Sequence, residues 1–191
     1  ATGYTGFDGA ALRSPENHPA MELTWYDALA YTEWLGEQLS VFSKQKNSQD
    51  AFWQGIASGK LKVTLPSEAE WEKASRGVDG RKYPWGNEFD PNKANCEEAG
   101  IGTTSAVGAF PAGASPYGLL DMSGNVWEWT RTIYDTKKYL YPYKMDDGRE
   151  RIEKNNDLAR VLRGGAFNNS SYWVRCACRL SSFPNLRFNY L

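Results

Sequence analysis

Histidine is almost absent from this chain: His18 is the only one in 191 residues. That excludes metal centres built from several imidazoles, and it leaves a His-dependent nucleophile with one candidate base. Beside Pro19, His18 reads as a loop residue rather than a base. Cysteine is also scarce. Cys96, Cys176 and Cys178 are an odd set that makes no disulfide framework, and two nearby thiols with one histidine do not make a zinc set. If residues 176–178 form a strand, Cys176 and Cys178 share one side, where a disulfide would be strained. The net charge of −1 argues against a broad nucleic-acid surface or a polybasic membrane surface. No apolar run is long enough to span a bilayer, so no direct membrane insertion is expected. The opening Ala1-Thr2-Gly3 is neither a signal peptide nor an initiator methionine, and the expectation is a processed or trimmed start.

The chain is rich in eight Trp, eleven Tyr and eighteen Gly, a composition expected of a loop-rich domain tied together by aromatic clusters. Its length fits one domain with insertions. A helix is expected over residues 24–39, capped by Thr24 with Asp27 in the reciprocal position, and with Ala28, Tyr31, Leu35 and Leu39 turned to a core. Residues 40–60 are polar and read as an insertion holding one short amphipathic turn around Phe52-Trp53. A second helix starts at Ser67, with Glu70 completing a capping box, and stops at Gly77. Turns fill 79–116, and a charged, Tyr-rich loop covers 134–157. Residues 160–167, RVLRGGAF, form a short strand broken by a Gly-Gly pair, which marks a bulge or a close backbone approach. The class is α+β: two helices, short antiparallel strands and long ordered loops.

The stretch that anchors the chain is GLLDMSGNVWEWT, residues 118–130. Strand alternation puts Trp127 and Trp129 on one face and Val126 and Glu128 on the other. Two indoles on one face tie a core together, while an unpaired Glu128 between bulky neighbours is costly. Asp121 lies just upstream, and the Ser123-Gly124-Asn125 turn leaves carbonyls free. Two readings stand. A hard cation would satisfy both acids and the carbonyls, and calcium accepts such mixed oxygen sets. Alternatively, Glu128 pairs with an arginine or caps a turn.

LTWYDALAYTEWL, LPSEAEWEKASRG, YPWGNEFDPNKAN, SPYGLLDMSGNVWEWT and RVLRGGAF, in this order, resemble the formylglycine-generating-enzyme (sulfatase-modifying factor) family. The resemblance covers about residues 19–179 and implies a C-type-lectin-like fold. It also implies a structural calcium ion held by the Asp121 side chain, the Gly124 and Val126 carbonyls and the Glu128 carboxylate. A second family calcium site would begin at Asn95 and Cys96, with its acid falling at Ala99 and Glu97 or Glu98 as substitutes. The family's enzymes hold copper on two cysteines five residues apart. Cys176 supplies the second, but Ser171 stands at the first, and a hydroxyl is a poor soft-metal ligand that forms no disulfide with substrate. Cys178 lies on the wrong side of Cys176 to replace it. No copper and no catalytic residues are therefore expected, with Cys176 packed as a small buried residue. The related sulfoxide synthases need a histidine set that this chain lacks.

Residues 168–191 read NNSSYWVRCACRLSSFPNLRFNYL. Slots holding Asn, Ser, Tyr, Leu, Phe and Cys alternate with fixed-looking Arg175, Arg179, Pro184 and Arg187. All six variable types are encoded by codons that an AAC asparagine codon becomes when its two adenines are randomised. This is similar to the variable proteins of diversity-generating retroelements, which carry adenine-directed variation near the C-terminus of the same lectin-like domain. Trp173 does not fit the codon pattern. The resemblance implies a non-catalytic ligand-binding protein whose varied surface comprises Ser170, Ser171, Tyr172, Cys178, Leu180, Ser181, Ser182, Phe183, Leu186, Phe188, Asn189 and Tyr190. Rings and small polar groups of this kind also favour binding in antibody loops. The implied partner is a protein or other macromolecule rather than nucleic acid, and the implied setting is a cell surface or a virus particle. The alternative is a formylglycine-generating-enzyme homologue with altered or lost oxidase chemistry.

Overall fold

The structure is a computed structural model that describes residues 14–46, 48–153 and 157–190. Three α-helices come first in the chain: α1 (Trp25–Lys46), α2 (Ala51–Ala57) and α3 (Glu68–Arg76). Three strands follow, β1 (Glu128–Ile133), β2 (Arg160–Arg163) and β3 (Leu180–Ser182), in one antiparallel sheet of order β1-β2-β3. The α+β class holds.

The helix starts are legible in the sequence because their caps are local. At α1 the Asp27 N–H donates to Thr24 Oγ1 at 3.0 Å and the Thr24 N–H donates back to the Asp27 carboxylate at 2.9 Å. At α3 Ser67 and Glu70 make the same reciprocal pair at 3.1 and 2.7 Å. Gly77 closes α3 with φ +71°, a conformation glycine adopts without a Cβ clash.

Two expectations about the helices fail. α1 does not stop at Leu39 but runs on to Lys46, and the short turn expected around Phe52-Trp53 is a full second helix capped by Asp50, giving three α-helices among the described residues rather than two. Helix length is set here by packing of the polar segment back on α1, which local polarity does not report. The buried face of α1 is also rotated from the one expected. Trp25 and Leu29 enter the core, Ala28, Leu35 and Leu39 are only partly buried, and Tyr31 is exposed.

The core cluster joins the helices to the sheet: Trp25 and Leu29 of α1 pack with Leu65, Trp127, Trp129 and Leu162. The indoles have polar ends to satisfy, and each does so across the fold. Trp25 Nε1 donates to the Thr130 carbonyl and Trp129 Nε1 to the Leu23 carbonyl, both at 3.0 Å. Arg160, itself buried, lies with its guanidinium 4.1 Å from the Trp25 ring centroid.

Candidate ligand-binding surface and metal centre

The 121–128 turn is forced into shape by close backbone approach. Asp121 and Asn125 take φ of +57° and +67°, and a Cβ on Gly124 would lie 2.1 Å from the Asn95 carbonyl oxygen. The turn is bolted down by the Asn125 N–H donating to the Asn95 carbonyl at 2.8 Å and the Gly124 N–H donating to the Gly164 carbonyl at 2.9 Å. The Asn125 side chain adds two bonds to the Ser105 backbone. The expected face alternation holds, with Trp127 and Trp129 buried in the core and Glu128 on the opposite side.

Glu128 has no arginine partner among the described residues. Its carboxylate accepts the Trp71 indole N–H at 2.7 Å. Desolvation, with a smaller push from the nearby Asp121 charge, raises its pKa to about 7 against the lowering effect of the Trp71 bond. Asp121 accepts the Gly108 N–H at 2.7 Å and likewise has no ion pair among the described residues. The two acids are close enough for the Asp121 charge to act on Glu128, and neither has an ion pair among the described residues; with the Gly124 and Val126 carbonyls that the resemblance implies, they would make an all-oxygen donor set of the kind a hard divalent cation accepts. Among the described residues no three or more His, Cys, Asp or Glu side chains gather into a metal set, so this candidate depends on its carbonyls. The second family site lacks the acid that its downstream position calls for, although the Asn95 Oδ1 at its start is buried without a hydrogen-bond partner. Ala99 carries no acid, the Cys96 carbonyl already accepts the Ala99 N–H at 3.0 Å, and Glu98 is engaged by the Ser171 N–H at 2.8 and 3.0 Å.

All three cysteines are buried free thiols. Cys176 is completely buried, and Ser75 donates a hydroxyl bond to its sulfur at 3.1 Å. Burial raises all three thiol pKa values, Cys96 to about 11, which keeps them as thiols rather than thiolate nucleophiles. Residues 171–177 form consecutive turns rather than a strand, so the shared strand face expected for Cys176 and Cys178 does not exist.

The C-terminal segment is held mainly by its backbone. Ser123 Oγ donates to the Val174 carbonyl at 2.6 Å, and the Cys176 N–H donates to the Lys82 carbonyl at 2.8 Å. The Arg163 guanidinium, with no exposed surface, donates to the carbonyls of Cys176 and Cys178 at 2.7 Å each. β3 then pairs with β2. Beyond it, the N–H groups of Trp25, Glu22 and Trp127 donate to the carbonyls of Pro184, Phe188 and Tyr190 at 3.0, 3.2 and 2.8 Å. A Cβ on Gly165 would fall 2.8 Å from Val174 Cγ1, so the Gly-Gly pair is the expected close approach.

On this backbone Tyr172 (59% exposed), Leu180, Phe183 (55%) and Leu186 stand out into solvent. Asn189 is exposed and Ser170, Ser171 and Ser181 are partly so. The structure corrects the surface at Cys178 and Ser182, which are 8% and 9% exposed. Ser182 sits opposite Arg160 on the paired strand β2, and Cys178 precedes β3 where Arg163 clamps the chain inward. Phe188 and Tyr190 stack on each other at 5.4 Å and pack against the core cluster, so they are half-buried rather than free. Of the fixed-looking arginines, Arg179 and Arg187 are held by the scaffold, through Glu68 at 2.5 Å and Asp27 at 2.8 Å. Arg175 is not: it binds the Tyr172 carbonyl and lies over the Tyr172 ring, within its own segment.

Two contributors are not singled out from sequence, Arg163 and Trp71, and Glu98 is named there only as a substitute calcium ligand. An arginine inside the apolar run RVLRGG is the one signal that pointed to Arg163, since a buried guanidinium needs several acceptors. Nothing local marks the Trp71–Glu128 and Glu98–Ser171 contacts, whose partners lie 57 and 73 residues apart.

A three-stranded α+β scaffold that fixes a loop segment by its backbone and turns its side chains outward is a C-type-lectin-like fold of the formylglycine-generating-enzyme type. The chain belongs to the sulfatase-modifying factor enzyme 1-like domain family, whose model matches residues 4–190. It is 35% identical over 193 residues to the inactive C-alpha-formylglycine-generating enzyme 2 of Bos taurus, covering 93% of this chain and 49% of that protein. It is 29% identical to the formylglycine-generating enzyme of Mus musculus, covering 93% of this chain and 46% of the relative. The chain thus spans about half the length of these curated relatives. Among solved structures it is similar to Treponema denticola variable protein 1, with a TM-score of 0.67 and 23% identity over 98% of this chain and 74% of that one. At that identity the likeness is one of fold.

Proposed function

We propose that this domain is a non-catalytic ligand-binding module that displays a diversified surface on residues 170–190 of a calcium-braced scaffold, in the manner of the variable proteins of diversity-generating retroelements. The observation that carries the reading is the division of labour in that segment. Its carbonyls are taken by Ser123, Arg163, Trp25, Glu22 and Trp127, while Tyr172, Leu180, Phe183 and Leu186 face solvent. A surface built this way changes its side chains without changing its backbone. Exposed rings rimmed by serine and asparagine mark an interaction site for a protein or other macromolecule. A place on a cell surface or virus particle follows from such a display role.

Calcium fits the Asp121 and Glu128 carboxylates with the Gly124 and Val126 carbonyls, and its part is structural: it would offset the repulsion and desolvation of the two acids beneath the core tryptophans.

Randomising Tyr172, Leu180, Ser181, Phe183 and Leu186 among Asn, Ser, Tyr and Phe should leave the melting temperature within a few degrees. A displayed library of this kind should yield binders to an unrelated target such as lysozyme. Phe188 and Tyr190 are left out because they pack on the core, where volume changes cost about 2–5 kcal/mol. A library that fails to fold, or folds and yields no binders, sinks the reading. Independently, a near-copy of the C-terminal coding repeat with adenines at the variable codons, beside a reverse transcriptase, would establish the class.

The similarity to named enzymes keeps a formylglycine-generating activity as the second reading, and Ser171 speaks against it. Copper-treated protein incubated with a cysteine-containing sulfatase-motif peptide should give no formylglycine by mass spectrometry above a copper-only control. Product above that control would overturn the non-catalytic assignment.

A further inference from the structure

The corner where α1 meets α2 is built unlike the rest of the surface. Val41 and Phe42 at the end of α1, Phe52 on α2 and Leu61 just beyond it are all exposed large apolar side chains. They are joined through α2: the Trp53 ring packs against Phe42 at 5.4 Å and Phe52 at 5.2 Å, and Leu61 covers Gly55, where an added Cβ would lie 2.6 Å from Leu61 Cδ1. Lys44, Lys46, Lys60 and Lys62 lie in the same stretch of chain and are all exposed, and Lys46 Nζ stands 4.9 Å from the Trp53 ring centroid. The only acid in residues 41–62 is Asp50, whose carboxylate caps α2 by accepting the Phe52 and Trp53 N–H groups. Four lysines against one acid give this stretch a net +3 in a chain whose total is −1.

We propose that this corner docks the domain on an anionic lipid surface. Apolar side chains interleaved with basic ones, on a short amphipathic element, are what an interfacial site needs: the rings enter the headgroup boundary and the ammonium groups meet lipid phosphates and carboxylates. The choice of lysine over arginine separates a lipid surface from nucleic acid or a phosphopeptide. Those targets favour the bidentate fork of arginine, and residues 14–75 contain no arginine. The attachment is peripheral, since no described helix is long and apolar enough to cross a membrane. Val41, Leu61 and Lys62 also line a cleft of about 520 Å³ between α1 and residues 59–63 whose α1 wall carries Glu33 and Glu37, so the docking surface is bounded on that side by two acids.

The test is co-sedimentation of the whole chain with vesicles of equal parts phosphatidylcholine and phosphatidylserine, against pure phosphatidylcholine. Binding is expected on the mixed vesicles alone and should weaken as salt is raised. Lys44→Glu/Lys60→Glu/Lys62→Glu should reduce binding on the order of 100-fold, each lysine near an anionic surface contributing about fivefold. Phe42→Ser/Phe52→Ser should reduce it at low salt while the charge is intact. All five side chains are exposed, so melting curves should match the parent and separate lost binding from lost fold. Equal sedimentation with both vesicle types, none with either, or unchanged binding by the charge-reversed variant would overturn the proposal. So would tighter retention on duplex DNA than on the mixed vesicles at the same salt.

Discussion

Replacing Arg163 by alanine should lower the melting temperature by roughly 10 °C and loosen residues 170–182 in particular. Arg163 is fully buried at the end of β2, directly before the Gly-Gly pair. Its guanidinium lies 5.1 Å from the Trp71 ring centroid, pairs with Glu72 at 2.7 Å and Glu68 at 3.5 Å, and donates to the Cys176 and Cys178 carbonyls. Removing one member of a buried charge pair costs about 3–5 kcal/mol, because the partners stay desolvated and unpaired. In a domain of this size each kcal/mol moves the midpoint about 2–4 °C. Arg163→Lys should recover only part of the loss, since an ammonium cannot span two carbonyls and a carboxylate with one planar fork. Differential scanning calorimetry gives the midpoint, and hydrogen exchange shows where protection is lost. A variant that melts within about 2 °C of the parent, or loses protection evenly, would show that Arg163 does not hold this segment.

Chelation should lower the melting temperature of the calcium-loaded protein by about 5–10 °C. A ligand present at 100 times its Kd, and bound only to the folded state, adds about 2.7 kcal/mol. Glu128→Ala should erase the difference between calcium and chelator. Glu128→Gln gives a sharper control. It removes the charge that sits desolvated beside Asp121 yet keeps a carbonyl to accept the Trp71 indole N–H, so in chelator it should melt at or above the parent. Identical melting of the parent with and without chelator, together with no heat of calcium binding in titration calorimetry, would leave Glu128 as a tryptophan-bonded carboxyl and nothing more.

What the sequence determined by itself is everything carried by near neighbours. The caps at Thr24 and Ser67, the stop at Gly77, the alternation of Trp127 and Glu128, and the gathering of Asp121 and Glu128 within eight residues depend on spacing, which the chain states directly. The substitution of Ser171 for a cysteine is likewise a fact of sequence that no fold changes. Tertiary structure decided what depends on partners far along the chain. It carried α1 past Leu39 and set which of its faces is buried, and it turned Cys178 and Ser182 inward beside β2 while leaving Leu180 and Phe183 out. It also made Arg163, Trp71 and Glu98 fasteners to partners 91, 57 and 73 residues away. The reason is physical: a cap or a turn closes within one hydrogen-bonded loop, whereas a buried guanidinium or indole takes its partners from whatever packing brings to it.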